Sequence, residues 1–305
     1  LNGPTGFRRH CAGEWGENPV ALAEAQEAVA QADIVVTCLI FLEEHLNAIV
    51  PALTARRDHC DAMVGLVADT SVVKLTRMGD LDMSKPQSGA MKILKSLRGS
   101  SKPSASSGSK QMKTLRRLPK ILRLIPGKAQ DLRAWFLSMQ YWLGGSDENI
   151  EQMIRFILSR YSSRTEWKGT ASAAPIEYPE VGVYHPSLPG HHIATDDSLL
   201  PRPVNPVGTV GLLMLRSYIL SGDTAHYDAV IRSFEEAGLR VIPAFAGGLN
   251  GQPAIESHFE GKIDAMVSLT GFSLIGGPAY NDSEAAVALL KRLDVPYIAA
   301  QPLEF

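Results

Sequence analysis

The sequence predicts an α/β protein with two doubly wound parallel-sheet domains, the first truncated, joined by a basic linker and a helical hairpin. Two stretches carry that expectation, because short apolar runs alternate there with amphipathic ones, and strand–helix–strand order with right-handed crossovers builds a parallel sheet. Between them, residues 84–128 hold twelve lysines or arginines and no acidic residue. A chain of 305 residues with 45% hydrophobic content is expected to form about two domains with sizeable cores. The divisions read as 1–83 (partial α/β domain), 84–128 (basic linker), 129–162 (helical hairpin), 163–206 (proline-rich connector) and 207–305 (second α/β domain, cut at its C-terminal end).

In the first domain Asn18-Pro19 offers an N-cap followed by a first-turn proline, and Val20 to Ala32 follows as an alanine-rich helix with Leu22, Ala25, Val29 and Ala32 on one face. Asp33 to Ile40 reads as a strand. Phe41 to Arg57 reads as a helix with Leu42, Leu46, Ile49 and Leu53 as its stripe and Pro51 as a kink. Asp61 to Ala68 gives another strand and Ser71 to Met78 a short helix, while the leading strand of this sheet is missing or reduced at the start. The tract that follows centres on SSKPSASSGSK, which cannot bury enough apolar surface to offset ordering entropy. It reads as a mobile linker, with Leu115 to Leu124 as a short amphipathic helix.

Ala129 to Leu143 is a helix with Leu132, Trp135, Phe136, Met139 and Trp142 at helical spacing and Gly144-Gly145 as its stop. Ser146 caps a second helix running through Tyr161. At this periodicity the tryptophans are core residues rather than a stacking wall. Ser163 to Pro206 reads as a connector over the surface. The second sheet takes strands Thr209 to Leu215, Arg240 to Phe245, Ile263 to Leu269 and Pro296 to Ala300, with helices Ala225 to Ala237, Pro253 to Glu260 and Ser283 to Leu293 between them. Asp223 is expected to cap the first of these helices.

The loops after these strands, Ser217 to Asp223, the glycine-rich Ala246 to Asn250, Thr270 to Asp282 and Gln301-Pro302, should open at one carboxyl edge, where α/β sheets bind ligands. Candidate contacts there are Gly247, Gly248, Asn250, Thr270, Gly271, Phe272, Gly276 and Gly277. From spacing alone, the Thr270 to Asp282 loop reads either as a ligand or partner loop or as a glycine-rich connection packing Phe272 and Leu274 on a neighbour, and the second is favoured. His185 and His258 are candidate metal or ligand contacts, because imidazole ligates and titrates near neutral pH, yet lone histidines are more often structural. His191 and His192 are adjacent, so on extended chain their rings diverge. Neither a dinucleotide GxGxxG nor a phosphate-binding GxxxxGK[ST] occurs.

A formal net charge of −2 gives no global case for nucleic acid or an anionic membrane, and the basic tract lacks the aromatic interleaving of a single-strand platform. No apolar run reaches the roughly twenty residues of a membrane span. Cys11, Cys38 and Cys60 lie too far apart for a CxxC site or a disulfide framework. No catalytic residue and no metal site are assigned.

The phrases AQDLRAWFLSMQYWLGGSDENI, GTVGLLMLRSYILSGDTAHYDAVIRSFEEAGLRVIPAFAGGLNGQPAIESHF, LTGFSLIGGPAYND and LLKRLDVPYIAAQPLEF occur in order. Through them the chain resembles the large porphyrin-binding H subunits of magnesium chelatases, with the large subunit of aerobic cobaltochelatase as the nearest competitor. The resemblance implies an N-terminal fragment of a subunit for ATP-dependent insertion of Mg2+ into protoporphyrin IX, in chlorophyll or bacteriochlorophyll synthesis. It implies ATP hydrolysis by separate AAA+ ATPase subunits, a second accessory subunit, and chelation residues in a C-terminal body beyond this chain. The location implied is the bacterial cytoplasm or the plastid stroma, with room for peripheral membrane contact. A module that only docks the partners is the rival from another class.

Overall fold

The computed structural model describes residues 6–85, 129–277 and 280–300, which divide into two compact units. The linker expectation over 86–128, including its short helix, and the Gln301-Pro302 loop lie outside the described residues. Unit 1 takes 6–85, 129–143 and 148–175; unit 2 takes 144–147 and the residues from 176 onward.

Unit 1 begins with α1 (Pro19–Gln31), whose Asn18 cap accepts from the N–H groups of Val20 and Ala21 at 3.1 and 3.2 Å. It continues with β1 (Ile34–Cys38), α2 (Glu43–Arg56, running through Pro51) and β2 (Ala62–Leu66). β1 and β2 pair in parallel, from Ile34 opposite Ala62 to Cys38 opposite Leu66. The expected helix from Ser71 to Met78 is corrected. α3 spans only Thr70–Lys74, and Arg77–Met78 is β3, antiparallel to β2 and followed by antiparallel β4 (Leu81–Asp82). The Thr76 hydroxyl accepts from the Gly65 N–H at 3.0 Å, which draws the chain back along β2, and Gly79 at φ 53° makes the turn into β4. The first sheet is therefore parallel in one half and antiparallel in the other.

The two faces of β2 serve two cores, as strand alternation demands. Ala62, Val64 and Leu66 pack with α4 (Ala129–Gly144) and α5 (Asp147–Tyr161) through Trp135, Phe136, Met139, Met153 and Ile157, whereas Met63 packs with Ala25, Ile49 and Leu53 of α1 and α2. Trp135 is fully buried and its Nε1 donates to the Gly65 carbonyl at 3.0 Å. Gly65 is needed on its own account: a β-carbon there would stand 2.9 Å from the Val72 carbonyl oxygen, so α3 could not approach the sheet.

The buried Arg57 guanidinium holds the end of unit 1's short hairpin, reaching the Leu75 carbonyl at 3.0 Å and the Asp82 carboxylate. Burial pushes the Asp82 carboxyl up, but the Ser84 hydroxyl and N–H together with Arg57 outweigh it and hold the pKa at about 2, below the ordinary 3.8. A depressed carboxylate stabilises the fold above its unfolded pKa and loses that contribution as pH falls toward its folded one. Urea midpoints of the wild type are therefore expected to fall between pH 4 and about 2 more steeply than those of Asp82→Asn; parallel slopes would show that Asp82 is not coupled to folding.

Unit 2 contains β5 (Val181–Tyr184), β6 (Ile193–Ala194), β7 (Thr209–Leu215), α6 (Arg216–Leu220), α7 (Ala225–Glu236), β8 (Arg240–Ala246), α8 (Gln252–His258), β9 (Ala265–Ser268), β10 (Gly276–Gly277), β11 (Tyr280–Asn281), α9 (Ser283–Leu293) and β12 (Tyr297–Ala299). The six-stranded sheet runs β12-β9-β7-β8-β5-β6. Its first four strands are parallel; β5 is antiparallel to β8 and β6 to β5. The reading of Ser163 to Pro206 as surface chain is thus corrected over Val181–Tyr184, where Gly182, Val183 and Tyr184 are buried in the sheet. Asp223 does not cap α7 either: the cap position is Thr224, whose side chain makes no capping bond.

Candidate functional site

Parallel β7, β8 and β9 deliver their following loops to one carboxyl edge. The loop after β8 holds Gly247, Gly248 and Asn250, and the loop after β9 holds Thr270, Gly271, Phe272, Gly276 and Gly277. The two loops meet where the Gly251 N–H donates to the Leu274 carbonyl at 2.9 Å. Asn250 accepts from the Gln252 N–H at 3.0 Å, a local turn that starts α8. Gly271 and Gly276 sit at φ 66° and 123°, conformations that a β-carbon disfavours. Gly276 and Gly277 pair with Asn281 and Tyr280 in a short hairpin, braced by the Ser273 hydroxyl donating to Asn281 Oδ1 at 2.7 Å. Thr270 shares its hydroxyl with Ser268 at 3.1 Å, and Phe272 stands 42% exposed.

Because β5 runs against β8, with Val181 opposite Ala246, the residues just before β5 reach the same edge. Sequence reasoning missed these residues. The Gly247 N–H donates to the Glu180 carbonyl at 2.5 Å. Arg216, the first residue after β7, donates from Nη1 to the Pro179 carbonyl at 3.0 Å and lies 3.5 Å from the Glu180 carboxylate. Tyr178 meets His191 through its hydroxyl at 3.2 Å, with the rings edge to face at 5.0 Å. The charged residue ending an apolar strand was the one legible sign of Arg216.

The two candidate histidines lie away from these loops. His185 follows β5 at the end toward the amino edge, is 4% exposed, and is held by Ser187 Oγ at 2.7 Å and Glu235 at 3.1 Å. His258 ends α8, buried beside a cavity of about 350 Å³ lined by Val181, Thr195, Asp196, Asp197, Ser257 and Lys262. Burial pushes its imidazole down, opposed by the Asp197 carboxylate 3.8 Å away, which Lys262 contacts at 2.5 Å. His191 and His192 lie on a turn, with His192 at φ 60°, rather than on extended chain; His192 Nδ1 meets the Leu188 carbonyl at 2.6 Å. Among the described residues no three His, Cys, Asp or Glu side chains are grouped to hold a metal ion, and no helix is long and apolar enough to cross a membrane.

Residues 6–136 match the family described as "Domain of unknown function (DUF3479)", and residues 139–305 match "CobN/Magnesium Chelatase". The chain is 63% identical over 296 residues to the magnesium-chelatase H subunit of Rhodobacter capsulatus and 64% identical over 300 residues to that of Cereibacter sphaeroides, covering 97% of this chain and 25% of each relative. It is 35% identical over 297 residues to the chloroplastic magnesium-chelatase ChlH protein of Oryza sativa subsp. indica, covering 91% of this chain and 21% of that protein. The chain thus spans about a quarter of the length of these relatives. With more than half of its residues matched by one family, including the whole parallel sheet and its carboxyl-edge loops, the chain belongs to the CobN/magnesium chelatase family.

Proposed function

We propose that this chain is a segment of the porphyrin-binding H subunit of a magnesium chelatase, contributing to ATP-dependent insertion of Mg2+ into protoporphyrin IX for chlorophyll or bacteriochlorophyll. The observation that carries the reading is identity above 60% to two magnesium-chelatase H subunits over 97% of the chain. Mg2+ and the porphyrin are substrates, and ATP is hydrolysed by a separate AAA+ partner acting with a second accessory subunit. The setting is the bacterial cytoplasm or the plastid stroma. Within the chain, the carboxyl-edge loops with Gly247, Gly248, Asn250, Thr270, Gly271, Phe272, Gly276 and Gly277 form the face toward porphyrin or partner; the convergence of the loops after β7, β8 and β9 supports this. His185 and His258 are structural in this reading, since both are buried and held by neighbouring side chains.

The full-length subunit carrying this segment, supplied with its partners, ATP, Mg2+ and protoporphyrin IX, should generate the fluorescence of magnesium protoporphyrin. Cobalt insertion into a corrinoid in place of that reaction would move the chain to the cobaltochelatase branch, and partner binding without porphyrin affinity would leave only a docking role.

A second test concerns the glycine loop. Valine at Gly276 must adopt φ near 123°, at a cost of about 1–3 kcal/mol locally, whereas Ser273→Ala removes one side-chain brace worth about 1 kcal/mol. In the full-length subunit, Gly276→Val and Gly277→Val should weaken porphyrin binding or coupling to the ATPase more than Ser273→Ala, with the fold retained in thermal melts. Loss on Ser273→Ala with intact glycine variants would assign the loop to side-chain chemistry.

A further inference from the structure

We propose that the end of β1 and the loop into α2 form a docking surface covered by the part of the longer subunit outside these residues, which meets it with apolar groups and with basic side chains opposite Glu43 and Glu44. The inference rests on the reading of this chain as a segment of an H subunit and gives its first unit a role within that subunit. Four large apolar side chains stand exposed within seven residues: Val36 at 37%, Leu39 at 58%, Phe41 at 54% and Leu42 at 57%. Ile40, between them, is buried with Ile49 and Leu53, so the loop is anchored. The Leu39 N–H donates to the Val67 carbonyl at 3.0 Å and the Asp69 N–H to the Ile40 carbonyl at 2.8 Å, which ties it to the loop after β2.

Leu39 and Leu42 stand where another residue type would cost less. Leu39 takes φ 57° and its partner Val67 φ 42°, a region that branched side chains ordinarily avoid. Gly79 turns the same unit's chain at φ 53° without that cost. Leu42 occupies the N-cap of α2 and makes no side-chain capping bond, where serine or aspartate would. Departures of this kind that a fold retains are a sign of use, and both of these put an apolar side chain in water. β1 is also the outer strand of its sheet, paired only with β2 among the described residues, and IVVTC carries none of the lysines or prolines that guard a bare edge.

The chain is about a quarter of the length of the relatives it matches, so the larger part of such a subunit is joined covalently to these residues. Permanent interfaces are the more apolar ones, and a tethered occupant never leaves this surface bare as a dissociating partner would. Glu43 and Glu44, exposed in the first turn of α2 beside Leu42, set the charge that the occupant must complement.

Hydroxyl-radical footprinting of the 305-residue chain and of the full-length subunit, read by mass spectrometry at Leu39, Phe41 and Leu42, tests the assignment. The chain is expected to be oxidised at all three, and the full-length subunit, without partners or porphyrin, several-fold less. Phe41→Asp should leave the melting temperature of the chain unchanged, because Phe41 is exposed there, and should raise oxidation of Leu39 and Leu42 in the full-length subunit toward the level of the chain. Equal oxidation of the two wild-type proteins overturns the proposal. Protection in the chain itself also overturns it: protection lost on dilution makes a second copy the occupant, and protection that persists places the cover within the 305 residues. Protection of the full-length subunit only after the ATPase partner or protoporphyrin IX is added gives the surface to that ligand and overturns it too. If full-length Phe41→Asp does not fold, the wild-type comparison decides. None of these outcomes alters the formation of magnesium protoporphyrin, by which the chelatase reading is judged separately.

Discussion

The 305-residue chain by itself, given the ATPase partners, ATP, Mg2+ and protoporphyrin IX, is expected to form magnesium protoporphyrin no faster than a reaction lacking it. Insertion requires bases that remove two pyrrole protons, a path for a cation that sheds water reluctantly, and a surface that holds the macrocycle. The chain is about a quarter of the relatives' length. Its buried histidines are committed elsewhere: His185 lies between Ser187 and Glu235, and His258 lies beside Asp197 with its imidazole pushed down by burial. Adding the full-length subunit to the same mixture should restore the fluorescence. A rate with the chain alone approaching that of the full subunit would place the insertion chemistry inside these residues.

Trp135→Ala is expected to destabilise unit 1 by about 4 kcal/mol. A fully buried aromatic replaced by alanine costs about 3–5 kcal/mol through lost transfer energy and the cavity left behind. The change also strands the Gly65 carbonyl that Trp135 Nε1 now satisfies and removes the edge-to-face contact with Phe136 at 5.0 Å. A loss of this size consumes much of the roughly 5–15 kcal/mol that holds an ordinary domain folded. Urea denaturation should show the lowered midpoint, and Trp135→Phe should recover part of it. An unchanged midpoint with loss of porphyrin-induced tryptophan quenching would make Trp135 a stacking surface instead of a core residue.

The parallel core was legible because β7, β8 and β9 are covered on both faces and read as nearly unbroken apolar runs; β7 and α9 fall at the bounds expected for them. The hairpin's Trp135, Phe136 and Met139 followed from helical spacing in the same way. The two-residue β3 and β4 are too short for any period to register, so Arg77 and Met78 were merged into the preceding helix. β5 was hidden by its setting, since Pro175, Pro179 and Pro186 flank its valines and turn signals outweighed the strand pattern. At the candidate edge, glycines flagged two loops. The Arg216–Glu180 approach depends on an antiparallel strand closing a distance in space, which local sequence does not encode. Leu39 and Val67, at φ 57° and 42°, likewise carry no sign of their left-handed backbone, because side chains of this kind ordinarily avoid it.

The reversed direction of β5 bears on how the second sheet can be cut out for study. A piece beginning at Val207 would contain every parallel strand of the sheet, yet it would strip β5 from β8 and bare the flank at Ala244, Phe245 and Ala246, all buried in the intact unit. Unpaired strand flanks of that composition recruit other chains. A piece beginning near Ile176 keeps the flank paired and retains Tyr178 and Glu180 at the carboxyl edge. The choice of starting residue thus governs whether an isolated second unit stays monomeric in solution and whether it still carries one half of its charge pair.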